Sequence, residues 1–154
     1  MNRIISKMML VLIVAVALGL SGCGDGGSSD SSTTAAPVLS VTVGSAAVSL
    51  LPSVGSSYTV MGSGLDGVAG IELTITYDAD TLGTATVTQG DLLAGALFSS
   101  NTSTPGSIRI AAISSLPVSG SGPIAAISFA SGTGTGGIRS ISANMIDSRG
   151  ITIQ

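Results

Sequence analysis

Gly70 to Tyr77 reads GIELTITY, and its alternation decides the fold class. Ile71, Leu73, Ile75 and Tyr77 fall on one side of an extended chain. Glu72, Thr74 and Thr76 fall on the other. An apolar period of two predicts a strand with one face buried and one wet. Similar short runs lie on both sides of it. Val38–Val43, Ala47–Leu50 and Ser57–Leu65 precede it. Thr84–Thr88, Ile108–Ile113, Ile124–Ala130, Ile138–Met145 and Ile151–Ile153 follow. Turn-forming residues separate them, such as Thr104-Pro105-Gly106 and Asp147-Ser148-Arg149-Gly150. The pattern predicts nine to ten strands in an all-β antiparallel sandwich. No stretch after residue 37 carries a helical period, and Asp91–Leu97 has room for one turn at most.

Composition agrees. The chain is rich in Gly, Ser, Thr, Ala, Val and Ile, and only 8% of its residues are charged. That mix suits strands and turns and disfavours helices. There is no His and one Cys, so the usual nucleophile–base pairs of hydrolases are missing. No run of Lys or Arg makes a basic patch, which argues against nucleic acid as a partner.

The N-terminus has a different character. It reads MNRIISKMMLVLIVAVALGLSGC. Arg3 and Lys7 make a short positive region, and Met8–Leu20 is an uncharged run of 13 residues. A membrane-crossing helix needs roughly 20 apolar residues, so residues 1–22 are expected to be a signal peptide. Leu20-Ser21-Gly22-Cys23 is similar to the lipobox of bacterial lipoproteins. In that family the cysteine thiol takes a diacylglycerol and cleavage falls just before it. Two or more acyl chains anchor stably where one does not. Gly24 follows, not the Asp that retains some lipoproteins in the inner membrane. The expected location is the bacterial cell envelope, with the outer membrane or cell surface favoured. Asp25 one place later leaves the choice of membrane open. Residues 23–37 carry the polar run GDGGSSDSSTTAA, a flexible spacer with a typical reach of about 20 Å. The β-sandwich is expected over residues 38–154. Removal of the signal leaves Arg109, Arg139 and Arg149 against all eight acids.

From Ile71 onward the chain resembles a cohesin domain. The elements are Tyr77-Asp78, Leu82, Gly90-Asp91-Leu92-Leu93, Leu97-Phe98-Ser99 and Gly106-Ser107-Ile108-Arg109-Ile110-Ala111, in that order. The likeness covers roughly Val38–Gln154. It implies a jelly-roll sandwich of about nine strands that is a binding module and not an enzyme. It implies a protein partner, of dockerin type or another kind, in a polysaccharide-related assembly. It implies no cofactor on this chain, since calcium in that pairing belongs to the dockerin. The partner-facing sheet of cohesins includes the strand matching Gly70–Tyr77, and the family often carries an acid or amide where Glu72 stands. Thr74 and Thr76 share its face. By resemblance Arg109 and Ser114 lie on or near another strand of that face. A solvated strand residue is the other reading of Glu72.

Two alternatives remain. Paired carboxylates, Asp78 with Asp80 or Asp66 with Glu72, are the material for glycosidase work or for holding calcium. Asp78-Ala79-Asp80 follows a strand, where Asp commonly shapes a turn. Direct carbohydrate binding needs exposed planar rings. Of the four aromatics, Tyr77, Phe98 and Phe129 read as core and Tyr58 is undecided.

Lipidation has a direct check. Labelled palmitate is expected to enter the wild-type chain and not Cys23→Ala; equal labelling of both would exclude an anchor at this residue.

Overall fold

The strand that carries Gly70–Tyr77 runs on from the segment before it, although its alternation shifts on the way. The computed structural model describes residues 39–131 and 137–154. The signal peptide, the spacer and Cys23 lie outside the described residues. The elements are β1 (Leu39–Val43), β2 (Ala46–Pro52), β3 (Ser57–Tyr77), α1 (Ala79–Leu82), β4 (Ala85–Gln89), a 3₁₀ turn (Asp91–Leu93), β5 (Leu97–Asn101), β6 (Ser107–Phe129) and β7 (Ile138–Asp147). Every pairing between strands is antiparallel.

Two strands are far longer than the sequence predicts. Ser57–Leu65 and Gly70–Tyr77 are one strand of 21 residues, β3. Ile108–Ile113 and Ile124–Ala130 belong to one strand of 23, β6. The two pair with each other along nearly their whole length, with register shifts between Val60 and Gly70. Each shift is a bulge that bends the ladder and raises its twist. The ladder therefore folds over on itself. Tyr58 near the start of β3 and Tyr77 at its end both pack on Phe129, at 5.8 Å and 4.9 Å between ring centroids.

The fold-over makes the sandwich. One layer runs β1, β2, first half of β3, second half of β6, β4. The other runs β7, second half of β3, first half of β6, β5. Counted by layer there are nine strand segments, the number implied by the resemblance. The inward side of β3 changes parity through the crease: Tyr58 and Val60 point inward before it, Leu73, Ile75 and Tyr77 after it. An even shift in side-chain count would have kept the same parity; the bulges supply the odd one. The core between the layers is apolar, with no buried polar or charged residue among the described ones. All these strands and this core lie within the single compact unit Thr34–Gln154, which carries its own fold.

Asp78 shapes the turn expected of it, closing it as helix, and two other local elements depart from the sequence reading. Asp78 accepts from the backbone N–H groups of Asp80 and Thr81 and caps one turn of helix, α1. Leu97–Asn101, not expected as a strand, pairs with β6 as the edge strand β5. Its five residues show no apolar alternation, because Ser99, Ser100 and Asn101 stay exposed. Ile151–Ile153, expected as a strand, contributes only the bridge between Ile146 and Thr152. The hairpin turn before it forms as expected, with Asp147 accepting from the N–H groups of Arg149 and Ile151.

The crease is held by side chains as well as by backbone. Ser121 Oγ accepts from Gly64 N–H and Ser119 Oγ from Gly67 N–H, each at 3.1 Å. Both glycines have left-handed φ, 63° and 67°. Their surroundings differ. A Cβ on Gly64 would lie 2.9 Å from the Ser45 carbonyl oxygen, whereas one on Gly67 would meet nothing within 4 Å. Gly67→Ala is expected to cost about 1–2 kcal/mol from φ alone. Gly64→Ala is expected to cost about 1–3 kcal/mol more, by overpacking. Urea midpoints, at unchanged m, measure both.

Candidate functional site: the outer face of the β7–β3–β6–β5 layer

Alternation puts every second residue of this layer on its outer side, and the register sorts those residues into rows. The first row, next to the crease, is Ile146, Gly70, Ile113 and Leu97. The second is Asn144, Glu72, Ala111 and Ser99. The third is Ser142, Thr74, Arg109 and Asn101. The last is Ser140, Thr76 and Ser107. The face is thus apolar at the crease, charged in the middle and hydroxyl-lined at the other end.

Glu72, Thr74, Thr76 and Arg109 are brought together here. Thr74 is directly opposite Arg109, and Glu72 is diagonal to it across the β3–β6 pair. Such diagonal neighbours are about 7–8 Å apart, and the two charges form no ion pair among the described residues. Thr76 Oγ1 and Ser140 Oγ share a hydrogen bond of 2.6 Å, so the hydroxyl end is internally tied. Ser114 is not part of the face. It lies past Ile113, the last paired residue before the crease, and its hydroxyl donates to the Leu116 carbonyl at 2.6 Å. It lines a separate hollow with Leu92 and Leu116. The error has a physical origin: Ser114 is an odd number of residues from Arg109, so alternation turns it to the opposite side.

Sequence reasoning missed the contributions of β7 and β5. Asn144, Ser142 and Ser140 show their outward position in the alternation of Ile138–Met145, but nothing in that run says which strand it neighbours. Leu97 and Ile113 are directly paired and 77% and 63% exposed, an apolar end to the face that only the register reveals. The edge strand β5 is set in place from the 3₁₀ turn. Leu93 is buried there, and Gln89 Nε2 donates to the Leu93 carbonyl at 2.6 Å.

Of the carboxylates considered for catalysis, Asp78 is engaged elsewhere. Asp78 caps α1 and takes the Arg139 guanidinium at 2.7 Å. The Arg139 hydrogen bond, with those from the backbone of Thr81 and Asp80, holds its carboxyl below the usual carboxylate range. Asp147 is held low in the same way by the Ile151 N–H and the Arg149 side chain. Asp66 sits exposed in the crease and Glu72 on the outer face. No group of three or more potential metal-ligating side chains occurs among the described residues. The aromatic rings face inward: Tyr58, Tyr77 and Phe129 are buried and Phe98 is half-buried. Burial also pushes the Tyr58 phenol up. No exposed ring is therefore offered to a sugar.

A sandwich built on a folded two-strand ladder agrees with the family comparison. The cohesin domain model matches residues 40–150. The chain belongs to the cohesin family. Among solved structures, a non-cellulosomal cohesin from the hyperthermophilic archaeon Archaeoglobus fulgidus is 21% identical with a TM-score of 0.56, over 65% of this chain and 72% of that one. The sixth cohesin of Acetivibrio cellulolyticus scaffoldin B, in complex with a Cel5 dockerin, is 21% identical with a TM-score of 0.52, over 66% and 82%. The cohesin CaCohA2 from Clostridium acetobutylicum gives 21%, 0.52, 73% and 85%. These likenesses are of fold. No curated protein matches the chain by sequence.

Asp78 offers a titration test. A depressed carboxyl stabilises the fold above the ordinary carboxylate range of about 3.9, and that contribution is lost as pH falls through the depressed value. Arg139→Gln is expected to raise the Asp78 midpoint towards the ordinary range and leave Asp147 unmoved, as read from side-chain carboxyl ¹³C shifts.

Proposed function

We propose that this cohesin is a non-catalytic protein-docking module, lipid-anchored through Cys23 to the bacterial cell envelope. Its outer β7–β3–β6–β5 face receives a dockerin-type helical partner in a polysaccharide-related assembly. One observation carries the proposal. Glu72, Thr74 and Thr76 of β3 meet Arg109 of β6, distant in sequence, on one outer face of the sheet, with neither charge in an ion pair among the described residues. Unpaired charges on a face set partner choice and association rate. The four segments and four rows span about 14 by 20 Å between their outermost residues, room for one helix of about 10 Å diameter along the strands or two across them. Dockerin binding by the Acetivibrio relative supports this choice of partner.

Immobilised Thr34–Gln154 is expected to retain purified dockerins from a panel in calcium and to release them in chelator. Exchanging the charges, Glu72→Arg with Arg109→Glu, is expected to weaken capture at least about tenfold, near 1.4 kcal/mol, with an unchanged circular dichroism spectrum. Capture of polysaccharide in the absence of protein, with no dockerin bound, would replace this reading by direct carbohydrate binding.

A further inference from the structure

Gly70 brings no side chain to the outer face, and Ile146 leans across β3 into that place: a Cβ on Gly70 would lie 2.7 Å from Ile146 Cγ1. Beside this lean the face sinks into a shallow depression of about 220 Å³. Water occupies about 30 Å³ per molecule in the liquid, so the hollow holds on the order of seven waters, the bulk of one long side chain. Gly70 and Ala111 give a low floor, Ile113 and Ile146 give apolar walls, and Glu72 and Asn144 stand at the rim.

The chemistry of the lining is selective. Its walls favour methylene groups over polar ones. Glu72 is the only carboxylate among its residues and has no ion-pair partner among the described residues. An acidic side chain would be repelled. A purely aliphatic one would cover the Glu72 carboxylate without compensating it, which costs more than it gains. A side chain with a long apolar stem and a cationic tip satisfies both parts: the stem lies on Ile113 and Ile146 while the tip reaches the rim. An ammonium is a compact charge with three donors, suited to one carboxylate and one side-chain amide.

We propose that this depression is a socket for a single lysine side chain of the docked protein. The proposal rests on the docking reading of the face, and it names the chemistry that the partner must bring to this point. Arg109, one row nearer the hydroxyl end, sets the opposite requirement beside it. The partner would therefore carry a lysine over Gly70 and an acceptor or acid over Thr74.

The socket is testable without the partner. The lysine side chain beyond Cα is n-butylammonium, and n-butanol and butyrate are its neutral and anionic counterparts. In ¹⁵N–¹H spectra of Thr34–Gln154, n-butylammonium is expected to shift the amides around Gly70, Ala111 and Ile113 saturably. Butanol is expected to bind at least about tenfold more weakly, and butyrate not at all. Glu72→Gln, on an exposed position, is expected to reduce butylammonium to the level of butanol. No saturable shift up to about 0.1 M, equal binding of amine and alcohol, or an undiminished preference in Glu72→Gln would each overturn the socket. Those outcomes leave the docking reading to the dockerin panel. If butylammonium binds as expected but the charge exchange leaves dockerin capture intact, the docking reading fails and the socket stands.

Discussion

The pairing of β3 with β6 is the constraint on which the rest of the structure depends. Each strand runs through both layers, and their common ladder bends at Gly62–Gly70 and at the facing stretch of β6. A ladder of this length cannot bury one continuous face while it stays flat. Folding it over brings its two halves together, and the inward side chains of each half then cover the other. β1, β2 and β4 extend one half, β5 and β7 the other. The aromatic trio Tyr58, Tyr77 and Phe129 closes the end opposite the crease. Edge-to-face and tilted packing of this kind contributes about 0.5–1.5 kcal/mol per pair beyond area burial.

Stability thus comes from apolar packing and backbone pairing. The core holds no ion pair, and the two salt bridges lie at the surface, where such pairs contribute at most about 1 kcal/mol. They have a local use instead. Asp78 ties β7 to the start of α1 through Arg139, and Asp147 shapes the last turn. The lone cysteine lies in the N-terminal segment, so the sandwich has no thiols with which to form a disulfide.

The face proposed for docking follows from the same ladder. Glu72 and Arg109 are 37 positions apart in the chain yet occupy diagonal sites because β3 and β6 are in register there. As diagonal neighbours about 7–8 Å apart, they form no direct ion pair among the described residues. The glycine at the row nearest the crease has two consequences. It admits the close approach of Ile146, and it leaves the hollow beside Glu72. A face of small, polar and isolated charged groups on a rigid sheet has little to reorganise on binding, which lowers the entropic cost of docking.

Much was legible in the sequence because period-two alternation states which side of a strand meets the core. Ile71, Leu73, Ile75 and Tyr77 are buried as their spacing requires, and Glu72 is exposed. Asp78 shapes the backbone after it, because a short carboxylate beside free N–H groups needs no distant partner. What the sequence could not carry was anything that depends on two segments at once. The fusion of Ser57–Leu65 with Gly70–Tyr77 depends on β6 supplying the opposite half of each bulge. β5 is a strand because β6 offers it an edge, although its own residues show no alternation. Ser114 falls off the face because it lies past Ile113, the last residue paired before the crease. Alternation is local and survives in one dimension. Register, bulges and the rows they create are relations between strands, and only the folded ladder sets them.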